Sequence, residues 1–318
     1  MSRVIDLYSA NLSDSNLALC LGFFDGLHLG HQKVINEAKK CGSTVGLLTF
    51  ESQIKYNLGR NENDMMLTSM SDRLDLLDKF GVDYLFPLTF TDELKNTSSE
   101  EFIKLIIENT HAKYLVCGLD FKFGKNASGD INTLKSFEKE YGYKTIAVDL
   151  LSEGAVKISS SDIINLIKNG EITEANSLLG YNYTISGVVD YGLSNGRKIG
   201  YRTANIKLSF PYVMPKKGVY ATVFQFGKRR YLSMTNVGTH PTIDSLPDPI
   251  IETNVFNYNS EMYGNNVKIE FICRTRDEIK FKSIDELRNQ LNKDKDEIMA
   301  KYSQYIQNIR SEERRVGK

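Results

Sequence analysis

The pattern of hydrophobic and polar positions changes near residue 180. Before that point, short apolar segments alternate with segments whose apolar residues recur every three or four positions. Ser98 and Glu101 form a capping box before one such helical run, which begins at Phe102. Alternation of strands and helices at this spacing predicts a doubly wound parallel sheet. The predicted strands are residues 17–21, 44–50, 84–88, 114–117 and 144–148.

After residue 180 the apolar positions alternate with period two, and turns that contain glycine and proline separate the segments. This pattern predicts a small antiparallel β-barrel. Two terminal helices should follow, one capped by Ser283 with Glu286 and the next beginning at Asp294. The predicted strands are residues 183–189, 218–226, 230–237, 252–258 and 267–274.

These two patterns predict an α/β domain over residues 1–182 and a β domain over residues 183–309. Residues 310–318 break the preceding helical pattern and resemble a translated sequencing adapter, so we interpret them as a non-native tail. An ordinary charged, solvated tail is the alternative.

Composition narrows the class of protein. The 318 residues carry no formal net charge and are 41% hydrophobic, which predicts a globular chain without a nucleic-acid or membrane surface. No apolar run approaches the roughly 20 residues of a membrane span, and the N-terminus lacks a signal-peptide core. The four cysteines are scattered without CxxC spacing, so we expect a cytoplasmic protein.

A glycine-rich segment follows the first predicted strand and precedes a helical pattern. Gly22, Gly26 and Gly30 allow a tight turn and close approach of the backbone to a ligand. A strand, a turn and a helix start in this order direct backbone N–H groups at one point, where phosphate binds well. His28 and His31 stand at the helix start and can donate hydrogen bonds to a triphosphate. The segment predicts nucleotidyl transfer.

Two other interpretations of this segment stay open. His28, His31 and Asp25 are also suitable zinc ligands. A turn with a purely structural role is the second alternative.

A second glycine-containing loop follows the fourth predicted strand. Gly124 lies between Gly118 and Gly129, while Phe121 and Phe123 can flank an aromatic ring. Asp120 and Lys125, in the same loop, offer a metal or phosphate contact. A solvated loop with core phenylalanines is the alternative.

Three hydroxyl residues, Ser159, Ser160 and Ser161, stand at a predicted helix start. Phosphate binding and simple N-capping both explain them.

The second half contains hydroxyl, amide and carboxylate groups suited to phosphoryl transfer. Gly196 and Gly200 precede Thr203 and Asn205, whose oxygens are hard ligands for Mg²⁺ held by a triphosphate. Glu252, on a predicted strand, can accept the proton of an attacking alcohol. A solvated strand glutamate is the alternative.

These motifs, in this order, resemble the bifunctional riboflavin kinase/FMN adenylyltransferase family, the prokaryotic-type FAD synthetases. The resemblance extends over residues 15–305. The matching segments are residues 22–31, 118–124, 158–161, 203–205, 218–220, 236–238, 241–242, 263–264 and 276–281, together with Glu252.

The resemblance implies a two-step reaction. The barrel would phosphorylate riboflavin with MgATP to give FMN, and the first domain would transfer AMP from ATP to FMN, giving FAD and pyrophosphate. It implies Mg²⁺ as the cofactor and riboflavin, FMN and ATP as the substrates. The implied catalytic residues are Glu252, Arg276, His28 and His31. The implied nucleotide-binding residues are Gly22, Phe24, Asp25, Gly26, Gly30, Asp120, Phe123, Gly124, Ser159, Ser160, Ser161, Gly196, Gly200, Thr203 and Asn205, of which Thr203 and Asn205 hold the metal. The implied flavin-binding residues are Gly218, Tyr220, Asn236, Gly238 and Phe121.

Four features depart from the family pattern, one of which is the absence of a proline that is often found after Thr49 and Phe50. Ile164 stands where an arginine is usual, which predicts a weakened adenylyltransferase beside a competent kinase. Arg202 stands where a proline is usual before the Thr-Ala-Asn motif, and Asn254 replaces a common histidine. A kinase without the second activity and a non-catalytic flavin-binding regulator are the alternative functions.

Overall fold

The computed structural model describes residues 1–10, 12, 16–42, 44–51, 65–149, 158–190, 201–239, 249–258 and 260–306. Contacts between Cα atoms divide the chain into two compact units, Met1–Ser160 and Ser161–Lys318. Gly196, Gly200 and residues 241–242 lie outside the described residues, as does the predicted tail over residues 310–318.

The first unit is built on a six-stranded parallel sheet of order β1-β4-β3-β2-β5-β6. The predicted parallel sheet is therefore confirmed. Only β1 was absent from the predicted strands, because its two residues are too few to give a periodic signal. The strands are β1 Arg3–Val4, β2 Leu17–Leu21, β3 Thr44–Phe50, β4 Tyr84–Leu88, β5 Tyr114–Gly118 and β6 Lys144–Val148.

Helices connect these strands and bury their apolar faces against the sheet. The predicted capping box is present, since Ser98 Oγ accepts from the Glu101 N–H at 3.2 Å and Glu101 Oε2 accepts from the Ser98 N–H at 2.9 Å. Short 3₁₀ turns cover Leu7–Ser9, Asp25–Leu27 and Lys125–Ala127. The helices are α1 Leu29–Cys41, α2 Met70–Lys79, α3 Asp92–Asn96, α4 Ser99–Thr110, α5 Ile131–Ser136 and α6 Glu138–Tyr141.

The second unit contains a closed antiparallel barrel of order β10-β11-β8-β7-β12-β9, which confirms the predicted barrel. β8 was not among the predicted strands, because its five residues give a short signal directly after a glycine-containing segment. The strands are β7 Thr184–Asp190, β8 Ala204–Leu208, β9 Gly218–Phe226, β10 Arg229–Thr239, β11 Pro249–Val255 and β12 Asn266–Arg276.

The helices α7 Ser160–Asn169 and α8 Ile172–Leu179 precede the barrel. The Asn176 side chain joins α8 to the barrel: Nδ2 donates to the Phe271 carbonyl at 2.9 Å, and Oδ1 accepts from the Tyr183 N–H at 2.7 Å. The contacts therefore group both helices with the barrel, whereas the domain boundary at residues 182 and 183 stays a prediction.

The prediction that a second terminal helix begins at Asp294 was wrong. One helix, α9 Ile284–Tyr302, continues through Asp294. Its start is as predicted, because Ser283 caps it by accepting from the Glu286 N–H at 3.2 Å. Asp294 starts no new helix because its carboxylate accepts from Arg276 and Gln290 instead.

The two faces of the barrel strands have different surroundings. Val219, Ala221 and Val223 of β9 pack in one apolar cluster with Ile298 of α9. The intervening residues therefore face the barrel interior. There, the Thr222 hydroxyl oxygen lies 2.8 Å from the hydroxyl oxygens of both Ser233 and Thr235. Among the described residues, no helix has the length and apolar character needed to cross a membrane.

Candidate active sites

The loop between β2 and α1 is tightly folded at the carboxyl edge of the parallel sheet. Phe24, Gly26 and Leu27 all have left-handed backbone conformations, with φ of 52°, 75° and 40°. A Cβ at Gly22 would lie 3.0 Å from the Phe24 ring, and a Cβ at Gly30 would lie 3.1 Å from the His28 ring. Close packing within the loop therefore favours glycine at both positions, because a Cβ would press against a ring.

The two histidines form a stacked pair at the start of α1. Their ring centroids are 3.7 Å apart with an interplanar angle of 20°. His28 is the N-cap, and its Nδ1 accepts from the His31 N–H at 3.4 Å. Because Nδ1 is the acceptor, the neutral ring carries its proton on Nε2.

Burial keeps both imidazoles neutral. It lowers the pKa of His28 to about 4. The pKa of His31 lies well below its ordinary value, first because of burial and then because of His28 and Arg73. The buried Nδ1 of His31 has no hydrogen-bond partner among the described residues. The pair can therefore donate hydrogen bonds at neutral pH without adding net charge.

The Asp25 carboxylate is buried, and its hydrogen bonds go to other groups of the protein. It is 1% exposed and accepts from the Leu67 N–H at 3.0 Å and the Thr68 N–H at 3.1 Å. Burial raises its pKa, against the lowering effects of Arg73 and the N–H donors. A direct nucleotide contact by this carboxylate does not fit that placement. The described residues also contain no group of three His, Cys, Asp or Glu side chains arranged to hold a metal.

The serine motif reaches the histidine loop through its second member. Ser160 Oγ donates to the Asp25 carbonyl at 3.0 Å. Ser159 is half-buried and Ser161 is exposed. The hydroxyl of Ser160 therefore supports the loop backbone.

The loop after β5 places one of its two phenylalanines in the hydrophobic core. Phe123 is 6% exposed and belongs to the hydrophobic core, so the interpretation as a core phenylalanine fits it better than nucleotide stacking. Phe121 is half-buried and stacks on Phe123 at 5.5 Å. Asp120 is exposed, and Gly124 has a φ of 71° where a Cβ would meet the Ser99 backbone at 2.8 Å.

In the barrel, the structure brings Asn205, Glu252 and Asn236 into one row. Glu252 on β11 pairs directly with Asn205 on β8 and with Asn236 on β10. Directly paired residues share a face, with Cβ atoms about 4.5–5.5 Å apart. All three side chains are half-buried. On β10, Asn236 follows Leu232 and Met234 at period two, so the row faces the same side as α9.

The row continues around the barrel to Arg276. Asn236 pairs with Val219, and Val219 pairs with Arg276. Arg276 Nε and Nη2 donate to Asp294 Oδ2 at 2.9 and 2.7 Å. Asp294 thus fixes the guanidinium beside the row.

The predicted flavin-binding glycines also lie near Arg276 and Asn236. A Cβ at Gly218, which has a φ of 148°, would meet the Arg276 carbonyl at 2.6 Å. A Cβ at Gly238 would lie 3.0 Å from Glu278 Oε1. Asn236 Nδ2 donates to that same oxygen at 3.4 Å.

Tyr220 is the exception among the predicted flavin-binding residues. It is fully buried, and its ring lies edge-to-face against the Phe271 ring, with 5.3 Å between the ring centroids. Its hydroxyl donates to the Lys216 carbonyl, and burial raises its pKa to about 12. Tyr220 is therefore a core residue, because even-numbered positions of β9 face the barrel interior.

An open cleft lies beside the start of β8. Thr203 and Arg202 line it together with Tyr258 and Tyr263. Asn254 Nδ2 donates to the Arg202 carbonyl at 2.7 Å, so β11 holds the segment that enters β8. Two positions that depart from the family pattern are thus joined directly.

Sequence reasoning missed two residues beside these sites. Arg73 lies within the amphipathic pattern of α2, and Asp294 within that of α9, so neither belongs to a recognisable motif. A charged residue on the buried face of each helix is the one signal that marks them.

Family models match both halves of the chain. The family model for FAD synthetase matches residues 10–162, and that for riboflavin kinase matches residues 179–302. The bifunctional riboflavin kinase/FMN adenylyltransferase of Bacillus subtilis is 37% identical over 294 residues, which cover 90% of this chain and 92% of that protein. The protein of the same name from Escherichia coli K12 is 32% identical over 282 residues, covering 87% and 90%.

A solved structure extends the similarity to the fold. The crystal structure described as a macrolide-efflux protein from Streptococcus pneumoniae superposes with a TM-score of 0.85 at 30% identity, covering 93% of this chain and 97% of that one. With both family models and relatives over most of its length, the chain belongs to the bifunctional riboflavin kinase/FMN adenylyltransferase family.

Proposed function

We propose that the barrel phosphorylates riboflavin with MgATP to give FMN, and that the histidine site then adenylates FMN with a second ATP. The row of Asn205, Glu252 and Asn236 carries the first part of this proposal, because it sets a carboxylate between two amides at one level of the barrel. A cytoplasmic location is part of the proposal and is supported by four cysteines that form no disulfide.

We assign Mg²⁺ to Thr203 and Asn205. Their hydroxyl and amide oxygens suit a hard cation that keeps several waters, and Asn205 is paired with both Glu252 and Asp190. When bound, the cation neutralises charge on the transferred phosphoryl group. The residues present therefore fit the metal, and the cleft beside Thr203 is the proposed site of the nucleotide.

Glu252 is the proposed general base of the kinase. Its carboxylate accepts the proton of the ribityl 5′-hydroxyl as that oxygen bonds to the γ-phosphorus and the bond to ADP breaks. Arg276, held by Asp294, supplies positive charge beside the row.

At the other site, a phosphate oxygen of FMN bonds to the α-phosphorus of ATP, and the bond to pyrophosphate breaks. His28 donates from Nε2, and His31 stacks against it at 3.7 Å. Donors fixed at a helix N-terminus stabilise the negative charge that develops on the phosphates.

Replacing Glu252 by Gln tests the kinase assignment. We expect kcat for FMN formation to fall roughly 10²–10⁴-fold, the usual contribution of general base catalysis. Formation of FAD from supplied FMN should be unchanged. Glu174→Gln, an exposed residue of α8, is the matched control. Kinase turnover retained in folded Glu252→Gln would refute the assignment.

A further inference from the structure

A buried polar cluster lies behind the histidine loop. We call Asp25, Thr49, Thr68 and Arg73 the anchor cluster. Arg73 on α2 is 1% exposed, and none of the four is more than 1% exposed except Thr68, at 4%. Burying a guanidinium costs free energy unless several acceptors surround it. The acceptors of Arg73 therefore show which part of the loop it holds in place.

Those contacts fix the start of the loop. Arg73 Nη1 donates to the Phe23 carbonyl at 3.3 Å and to the Phe50 carbonyl at 3.0 Å. It also donates to Thr49 Oγ1 at 3.1 Å, and Thr49 Oγ1 donates to the same Phe23 carbonyl at 2.6 Å. Phe23, the residue before the left-handed Phe24, is thus held by the end of β3 and by α2.

The cluster fixes the other side of Phe24 as well. Arg73 Nη2 lies 3.7 Å from Asp25 Oδ1, and the Gly26 N–H donates to Thr68 Oγ1 at 3.1 Å. Phe24 and Leu27 are not glycines, yet both have positive φ, a conformation that L-residues disfavour. Such backbone persists only where surrounding contacts determine it.

We propose that Arg73 is a positioning residue for adenylyl transfer, which holds the loop through Phe23 and Asp25 so that His28 and His31 face the nucleotide. This inference rests on the proposed function of the histidine site. In this role Arg73 contacts no substrate and acts only through the loop.

The positive charge of Arg73 also affects the protonation of His31. Arg73 is the cation behind the loop, His28 is stacked on His31, and Asp25 is the carboxylate paired with Arg73. Together with burial, Arg73 and His28 lower the pKa of His31. Loss of the guanidinium should therefore allow His31 to take up a proton at a higher pH.

The test compares Arg73→Met with Arg73→Lys, measuring FAD from supplied FMN and FMN from riboflavin in the same preparation. For Arg73→Met we expect FAD formation to fall at least about tenfold in kcat, with FMN formation within about twofold of wild type. The acid limb of the FAD pH profile should move to higher pH within the pH range in which circular dichroism shows the variant to be folded, so that acid unfolding does not cause the shift. Arg73→Lys should restore the position of the acid limb. Lys79→Met, exposed on the same helix, is the control.

A second variant keeps the test decisive if Arg73→Met unfolds. Arg73→Met/Asp25→Asn removes both charges of the buried pair, which relieves the unpaired carboxylate. The double variant should fold and still form FAD slowly, with the shifted acid limb. Wild-type FAD kinetics and an unshifted profile in either folded variant would overturn the inference. Absence of FAD formation by the wild type would instead overturn the proposed function.

Discussion

His28 has a structural role and a chemical role that substitution can separate. Its Nδ1 caps α1 by accepting from the His31 N–H, while its Nε2 is the proposed donor to the nucleotide. Asn is among the best N-cap residues, whereas Ala cannot cap. His28→Asn should therefore keep the helix start and lose the imidazole, and His28→Ala should lose both.

The expected magnitudes differ for the two roles. Loss of a side-chain cap costs about 0.5–2 kcal/mol in the free energy of unfolding. Loss of one preorganised donor to a charged transition state lowers kcat by roughly 10²–10³-fold. We expect both variants to show that loss of FAD formation, and only His28→Ala to show the additional loss of stability.

The assay is chromatographic measurement of FAD from FMN and MgATP, paired with denaturant unfolding of the same samples. His111→Asn is the matched control, because His111 is exposed and has a φ of 52°, which Asn tolerates. Full FAD synthesis by His28→Asn would show that the imidazole only caps the helix and would refute the proposed donor role.

Three further predictions concern pH and the departures from the family pattern. Unfolded His28 binds a proton below pH 6.5 but folded His28 only near pH 4, so its stabilisation should weaken as pH falls from 6.5 towards 4, by roughly 3 kcal/mol in all. Because His31 has a lowered pKa as well, both proteins should lose stability to unfolding between pH 7 and pH 5, but wild type should lose about 2 kcal/mol more than His28→Asn. Asn254→Ala removes one hydrogen bond of about 1 kcal/mol and should lower kinase kcat/KM for MgATP about fivefold. The loss should be smaller in an Arg202→Pro background, because proline presets φ there. Equal losses in both backgrounds would contradict this reasoning. Ile164→Arg should raise FAD synthesis about 10–100-fold by adding a charge-assisted hydrogen bond, and an unchanged rate in steady-state assays would show that Ile164 does not limit the first domain.

Most of the fold could be predicted because each half of the chain has a regular hydrophobic pattern. In the first half apolar strands alternate with amphipathic helices, and in the second half the apolar positions recur every two residues. The strand over residues 44–50 was predicted at its observed bounds, since its apolar run is bounded by polar residues. β1 was missed because its two residues give no periodic signal, and β8 was missed because it directly follows a glycine-containing segment. Asp294 was mistaken for a helix start because sequence does not show that its carboxylate binds Arg276.

The site was predictable in its motifs and less so in the direction of each side chain. Glu252 and Asn236 are distant in sequence, and only strand register brings them opposite each other. Tyr220 and Phe123 belong to matching motifs yet face the core, since motif matching does not report which face of a strand or loop is buried. Arg73 carries no motif, because its role arises from burial behind a loop of another segment.

We propose that one chain carries two separate active sites that act in sequence. The most direct measurement is a chromatographic time course in which wild type and Glu252→Gln each receive riboflavin and MgATP, and then FMN and MgATP. We expect wild type to make FMN and then FAD, and Glu252→Gln to make FAD only when FMN is supplied. Equal loss of both reactions in folded Glu252→Gln, or wild-type FMN formation by it, would contradict the account.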